Sequence, residues 1–160
     1  MSNGRTHHLT TVSEKDLVLV PLASAEPFLR TFFAVHPGPE GASARLVLRV
    51  GSAAHPVIAA IERMQRPDAM TPCYSIHWES EGGGPYPAFD AELTVDADED
   101  YNGFWVVLTG AYAPPGGAAG QLFDAAVGNR IARSTARTLL RQMRVEVEAL
   151  YHAQVRSKAS

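Results

Sequence analysis

Residues 109–155 decide the fold: they read TGAYAPPGGAAG over 109–120 and QLFDAAVGNRIARSTARTLLRQMRVEVEALYHAQV over 121–155. We interpret this stretch as the end of a strand, a Pro/Gly corner and one long helix. Proline cannot extend a strand ladder, so Pro114–Gly117 marks the corner. A helix from Gln121 to His152 would be about 48 Å long at the standard rise per residue, which is enough to span a whole curved sheet.

Two stripes of side chains follow this helix at intervals of three or four positions, the spacing of a single helix face. The predicted buried stripe consists of Phe123, Val127, Ile131, Thr135, Leu139, Met143, Val147 and Leu150. The second stripe consists of Arg130, Arg133, Arg137, Arg141 and Arg144. A solvated face is the usual meaning of such arginines, and a site for phosphate or acidic lipid is the open alternative.

The upstream segments alternate between apolar and polar residues, as half-buried strands do. Strands are predicted at 16–22, 44–50, 73–79, 88–96 and 103–112, and a short helix at Ser24–His36. Residues 57–64 fit a strand or a helix, and their strand-rich surroundings favour a strand. Successive strands followed by one long helix predict an α+β fold, an antiparallel sheet with helices on one side.

Composition limits the class of protein. With 160 residues, 46% of them hydrophobic, the chain fits one soluble domain over 1–160, and we expect about 1–8 and 154–160 to be flexible. A net charge of −3 gives no support for nucleic-acid binding. The single Cys73 excludes an intrachain disulfide, and no apolar run is long enough for a membrane span or a signal peptide. We expect a cytoplasmic protein without a cofactor.

A distributed pattern over residues 74–145 carries a family resemblance. It includes the segment Leu108–Gly117, followed by Gly120, Asp124, Ile131, Ala132 and Thr135, and upstream the segments Ile76–Glu79 and Tyr86–Phe89. Together these resemble bacterial SRPBCC proteins of the START-like, or helix-grip, superfamily, which includes polyketide cyclases. The resemblance implies a curved antiparallel sheet wrapped around the long C-terminal helix, with a shorter N-terminal helix. It also implies an apolar cavity that binds a lipid, a sterol or a polyketide-like molecule.

The inward positions of the strands and of the long helix are the candidate lining of this cavity. The strands contribute Tyr74, Ile76, Trp78, Phe89, Leu93, Phe104, Leu108 and Tyr112, with Leu48 on the same side, and the helix contributes Phe123, Val127, Ile131, Thr135 and Leu139. A ligand pocket needs apolar walls and a few polar groups that orient the ligand. We expect those groups to be Tyr74, Trp78, Tyr112 and Thr135, and a filled core is the alternative.

No catalytic residue or metal site is predicted. The histidines lack metal-ligand spacing, Cys73 has no marked partner base, and no serine lies in a nucleophile elbow. The acidic run 96–100 resembles a calcium loop, but Tyr101 stands where that loop needs its glycine. We therefore expect a binding protein for a hydrophobic small molecule. A cyclase or hydrolase using Tyr112 with Asp124, and an interaction protein or homodimer with a filled core, remain open.

Overall fold

The computed structural model describes residues 10–41, 43–50, 52–82, 88–113 and 125–160. Within these ranges it has six strands and two α-helices. The strands are β1 (Thr10–Val18), β2 (Ser43–Val50), β3 (Ala53–Arg63), β4 (Cys73–Ser80), β5 (Ala88–Ala97) and β6 (Phe104–Ala113). The helices are α1 (Ala25–Ala34), which follows the 3-10 turn Leu22–Ser24, and α2 (Ala125–Lys158).

The strands form one antiparallel sheet in the order β1-β6-β5-β4-β3-β2, so β1 and β2 are its edges. Helix α2 lies closest to these two edge strands, and α1 packs against α2 and the β2 edge. The sheet therefore curls around α2 and buries its inner face against it. The predicted α+β fold, a curved antiparallel sheet wrapped around the long C-terminal helix, is confirmed. Within the described ranges, neither helix is both long and apolar enough to cross a membrane.

Strand register determines which side chains share the inner face. Tyr74 lies opposite Leu93, which lies opposite Leu108, and further along the strands Trp78, Phe89 and Tyr112 form a second row. All six side chains are buried. The inner face is therefore a continuous apolar surface across β4, β5 and β6.

Two strands near the ends of the sheet test the sequence interpretation. The first strand was predicted at 16–22, which is wrong, because β1 begins at Thr10 and ends at Val18. Its inner-face positions include Glu14 and Asp16, and these acids interrupt the apolar alternation that marks a strand. Residues 57–64 were ambiguous, and the favoured strand is confirmed by β3.

The buried face of α2 differs in part from the predicted stripe. The buried residues are Gly128, Ala132, Thr135, Ala136, Leu139, Leu140, Met143 and Val147, whereas Ile131 and Leu150 are half-buried. The early part of this face is made of small residues because β6 approaches it closely there. Phe123, Asp124 and the corner Pro114–Gly117 lie outside the described residues, as does the side chain of Val127.

Candidate ligand-binding site

An aromatic pair occupies the inner face of the sheet. The rings of Trp78 and Phe89 stack with their centroids 4.4 Å apart and their planes at 17°. Trp78 and Phe89 face each other across β4 and β5, and both are buried. Offset stacking of this kind stabilises a pair by about 0.5–1.5 kcal/mol beyond its buried area. The pair fixes the orientation of the indole, and with it the direction of its N–H group.

Two polar atoms on this inner face have no hydrogen-bond partner among the described residues: Tyr74 Oη and Trp78 Nε1. Leaving a buried donor or acceptor unpaired costs about 1–3 kcal/mol per group. Both residues belong to β4 and point to the same side, four positions apart. At the rise of a strand, their backbones are separated by about 13 Å. The inner face of the sheet therefore carries two unpartnered polar atoms among apolar side chains.

A groove between α1 and β3 reaches Tyr74 from the surface. Its volume is about 530 Å³, and it is lined by Glu26, Arg30, Phe33, Ala34, Pro37, Gly41, Ser43, Ile61, Arg63 and Tyr74. The ring of Tyr74 packs edge-on against Phe33, with centroids 5.5 Å apart. The floor is therefore apolar and aromatic, while the charged side chains belong to α1 and to the end of β3.

Ion pairs hold the charged side of the groove in place. Arg63 Nε donates to Glu26 Oε1 over 2.9 Å, and Arg30 Nη2 donates to the same oxygen over 3.3 Å. The hydrogen bond from Arg63 lowers the pKa of Glu26, so this carboxylate is ionised at neutral pH. Burial, and next the nearby charge of Glu26, raise the pKa of Tyr74. Tyr74 therefore keeps its proton and can donate a hydrogen bond.

Among the described residues, the other sequence-predicted site side chains lie on the two surfaces that face each other. On the sheet, Leu48, Ile76, Leu93, Phe104 and Leu108 are buried, and on α2 Thr135 and Leu139 are buried and Ile131 is half-buried. Tyr112 connects the surfaces, because its hydroxyl lies against Gly128. Sheet and helix residues therefore meet in the interior as an almost entirely apolar set.

Sequence reasoning did not identify the contacts of the arginine stripe. Arg133 Nε and Arg137 Nε both donate to the carboxylate of Glu14, over 2.9 and 3.0 Å, and Arg144 Nη1 donates to Asp16 Oδ1 over 3.1 Å. These carboxylates occupy inner-face positions of the edge strand β1. The signal available in the sequence was the pair of acids at the alternate positions 14 and 16, between Val12 and Val18.

Sequence reasoning also missed the groove residues Glu26, Arg30 and Arg63. Glu26 and Arg63 are separated by 37 residues and meet because the first turn of α1 reaches the end of β3. Nothing local in the sequence relates them.

Two titratable side chains considered in the sequence, His77 and Cys73, are poorly suited to chemistry in this interior. His77 is on the outer face, as its position predicts, where Nδ1 lies 2.5 Å from Asp90 and Nε2 lies 3.2 Å from Glu79. Cys73 is buried, and burial raises the pKa of its thiol, so it is a poor nucleophile. Among the described residues, no three His, Cys, Asp or Glu side chains form a group that could hold a metal ion.

Known structures share this fold, although no family model and no curated protein sequence matches the chain. TTHA0849 from Thermus thermophilus is 16% identical, with a TM-score of 0.55 over 88% of this chain and 99% of its own. Ara h 8.0201 is 12% identical, with a TM-score of 0.56 over 91% and 99%. A conserved protein from Geobacillus kaustophilus is 13% identical, with a TM-score of 0.52 over 86% and 95%. The chain therefore has the helix-grip fold that its sequence resemblance to SRPBCC proteins implies.

Proposed function

We propose that the protein binds a hydrophobic small molecule, such as a lipid, a sterol or a polyketide-like compound, between the inner face of the sheet and α2. The observation that carries this proposal is the pair of buried, unpartnered atoms Tyr74 Oη and Trp78 Nε1. Buried polar groups are nearly always hydrogen-bonded, and each exception needs an explanation. A ligand with matching polar atoms supplies the missing partners.

The two side chains specify different chemistry for that ligand. An indole N–H can only donate a hydrogen bond, so the group facing Trp78 must be an acceptor such as a carbonyl, hydroxyl or ether oxygen. A phenol can both donate and accept, so Tyr74 is less selective. Between these residues on the same face of β4 lies Ile76, which is buried and apolar. The site therefore fits a molecule with an apolar body and polar atoms at its ends.

Two measurements test this proposal. Native mass spectrometry of the purified protein is expected to show an added mass that disappears on denaturation. The neutral fluorophore N-phenylnaphthylamine is expected to brighten on binding to protein stripped of that mass. A protein with no added mass and no saturable fluorescence would contradict the proposal.

Two matched tyrosine variants test whether the ligand contacts Tyr74. Tyr74→Phe removes only the hydroxyl and is expected to weaken binding of the co-purified ligand by about tenfold, the value of one hydrogen bond. Tyr101→Phe makes the same change at a side chain that is 65% exposed, and it is expected to leave binding unchanged. Equal affinities in both variants would place the ligand away from Tyr74.

A further inference from the structure

We infer that the outer face of the first half of α2, together with the neighbouring edge strand β2, docks the protein on an anionic lipid bilayer. This docking face consists of Arg130, Arg133, Arg137, Arg141 and Val145 of α2 with Val47 and Arg49 of β2. Docking goes beyond the proposed function and does not rest on it, because vesicle binding can be measured whether or not the interior holds a ligand.

The arginines of the docking face form one positive strip. Positions 130, 133, 137 and 141 follow one another at intervals of three or four, so their side chains share one side of the helix, and all four are exposed. This row is about 16 Å long at the standard helical rise. The hydroxyl of Thr138 donates to the carbonyl oxygen of Arg49 over 3.2 Å. This hydrogen bond places Arg49, a fifth arginine, beside the row.

The positive charges of the strip are only partly balanced. Glu14 is shared by two of the five arginines, and Glu146, the one acid among the described residues that line the docking face, bonds a histidine. Arg49, Arg130 and Arg141 have no ion-pair partner within the described part of the chain. Five arginines against two carboxylates leave an excess of three positive charges, whereas the whole chain carries −3. The docking face therefore suits a partner with many negative charges.

Two exposed valines lie beside these arginines. Val47 and Val145 are 47% and 56% exposed, and both line the same groove as Arg49 and Arg141. Surfaces that bind anionic bilayers combine basic side chains with apolar ones that enter the headgroup region. Single-stranded nucleic acids are instead held by aromatic stacking, and none of the residues of the docking face is aromatic. The combination of charge and valine therefore favours a bilayer.

The arginine side chains are accessible to such a flat partner. Even while bonding Glu14, the side chains of Arg133 and Arg137 remain 52% and 62% exposed. Basic residues near an anionic bilayer act through their charge and need no closed pocket. The exposure of the strip is therefore what contact with a membrane surface requires.

Co-sedimentation with lipid vesicles tests the docking face. The full chain is expected to bind vesicles of equal parts phosphatidylcholine and phosphatidylserine, and not vesicles of phosphatidylcholine alone. Raising the salt concentration to about 1 M shortens the Debye length to about 3 Å and is expected to release the protein. Binding to neither vesicle, or equal binding to both, would overturn the inference. Binding of a single-stranded oligonucleotide without binding to either vesicle would overturn it as well and assign the face to nucleic acid.

Single arginine substitutions assign the binding to this face. Arg130→Gln and Arg141→Gln are each expected to weaken binding to the mixed vesicles by about fivefold, the value of one basic side chain near an anionic surface. Arg30→Gln is the control and is expected to change nothing. The Arg30 side chain is 74% exposed and lies with Arg63 at the far end of β3, about 30 Å along the strand from the position that pairs with Arg49. Equal losses in all three variants would overturn the inference, because binding would then follow the net charge of the protein.

A valine substitution tests the apolar part of the contact. Val145→Ser is expected to weaken binding to the mixed vesicles by about threefold, because a partly exposed apolar side chain is no longer removed from water. Met70→Ser, which changes a fully exposed apolar side chain between β3 and β4, is the control and is expected to have no effect. A Val145→Ser variant that binds as tightly as the wild type would overturn the assignment to a bilayer, because charge alone suits any polyanion.

Discussion

The hydroxyl of Tyr112 lies in the space that a side chain at position 128 would occupy. A Cβ atom built on Gly128 would also come within 2.6 Å of Tyr112 Cζ. Helix α2 can therefore approach β6 at this point only because residue 128 has no side chain. The contact fixes the height of the helix above the inner face.

Gly128→Ala is expected to destabilise the protein by about 1 kcal/mol. Alanine is favoured over glycine in a helix by roughly 1 kcal/mol, but overpacking a core typically costs 1–3 kcal/mol, so the clash decides the sign. Urea unfolding followed by far-UV circular dichroism measures the change. Adding Tyr112→Phe removes the hydroxyl and is expected to restore part of the loss. A single variant more stable than the wild type would show that Tyr112 moves away freely.

Tyr74→Phe is expected to change stability and binding in opposite directions. Removing an unpartnered buried hydroxyl stabilises the ligand-free protein by about 1 kcal/mol, because its desolvation is no longer uncompensated. The same change removes a ligand contact. Thermal unfolding of ligand-free and ligand-bound samples compares the two effects. A loss of stability in the ligand-free variant would mean that the hydroxyl has a partner within the protein.

Glu14→Gln is expected to destabilise the contact between α2 and β1 by about 1–2 kcal/mol. The Glu14 side chain is only 11% exposed, and it is the shared acceptor of Arg133 and Arg137. Glu14→Gln removes two charge-assisted hydrogen bonds, but Arg133 and Arg137 are 52% and 62% exposed, so water partly replaces them and the loss is smaller than for a fully buried pair. Glu62→Gln, at an exposed position, is the matched control for chemical denaturation. Equal denaturation midpoints for Glu14→Gln and Glu62→Gln would show that the ion pairs of Glu14 do not contribute to the stability of the protein.

His77 is expected to titrate above the usual range for histidine. Burial lowers its pKa, but hydrogen bonds to the carboxylates of Asp90 and Glu79 outweigh this and raise the pKa above 6.5. The contribution of His77 to stability is therefore fully present below pH 6.5, its pKa in the unfolded chain. It is lost as the pH rises through the higher pKa of His77 in the folded protein. Since the ring is partly exposed, the contribution stays below about 1 kcal/mol.

NMR titration of the His77 ring protons measures this pKa directly. Asp90→Asn is expected to lower it, because the hydrogen bond to a charged partner is lost. Asp96→Asn, on the same outer face of β5, is the control and is expected to leave it unchanged. A His77 pKa at or below 6.5 in the wild type would contradict the assigned contacts.

Most of the sheet could be predicted from alternation, because the inner face of β4, β5 and β6 is buried against other elements. Alternation of apolar and polar residues shows that one face of a strand is buried, but it does not show what covers that face. The first strand was predicted too late in the chain because Glu14 and Asp16 point inward in β1. Their partners there are arginines of α2 rather than apolar groups. A sequence pattern cannot anticipate a partner that lies more than 100 residues away.

Of the candidate site, the sequence predicted only the residues on the inner face of the sheet. Tyr74 and Trp78 stood out because they are polar residues at inward positions of β4. Their lack of partners among the described residues, and the groove that Arg30 and Arg63 help to line, depend on where α1 lies relative to the sheet. These features arise where separate elements pack together, so no spacing of residues within one segment of the sequence predicts them.

The placement of Glu14 and Asp16 also affects how the protein behaves at high concentration. β1 is an edge strand, and an edge with free backbone groups can recruit a strand from another molecule. Inward-pointing charges on such a strand oppose this addition, and here arginines of α2 lie alongside the same edge. The ion pairs that attach the helix thus also place charged groups along an edge strand, where charges hinder the addition of a strand from another molecule.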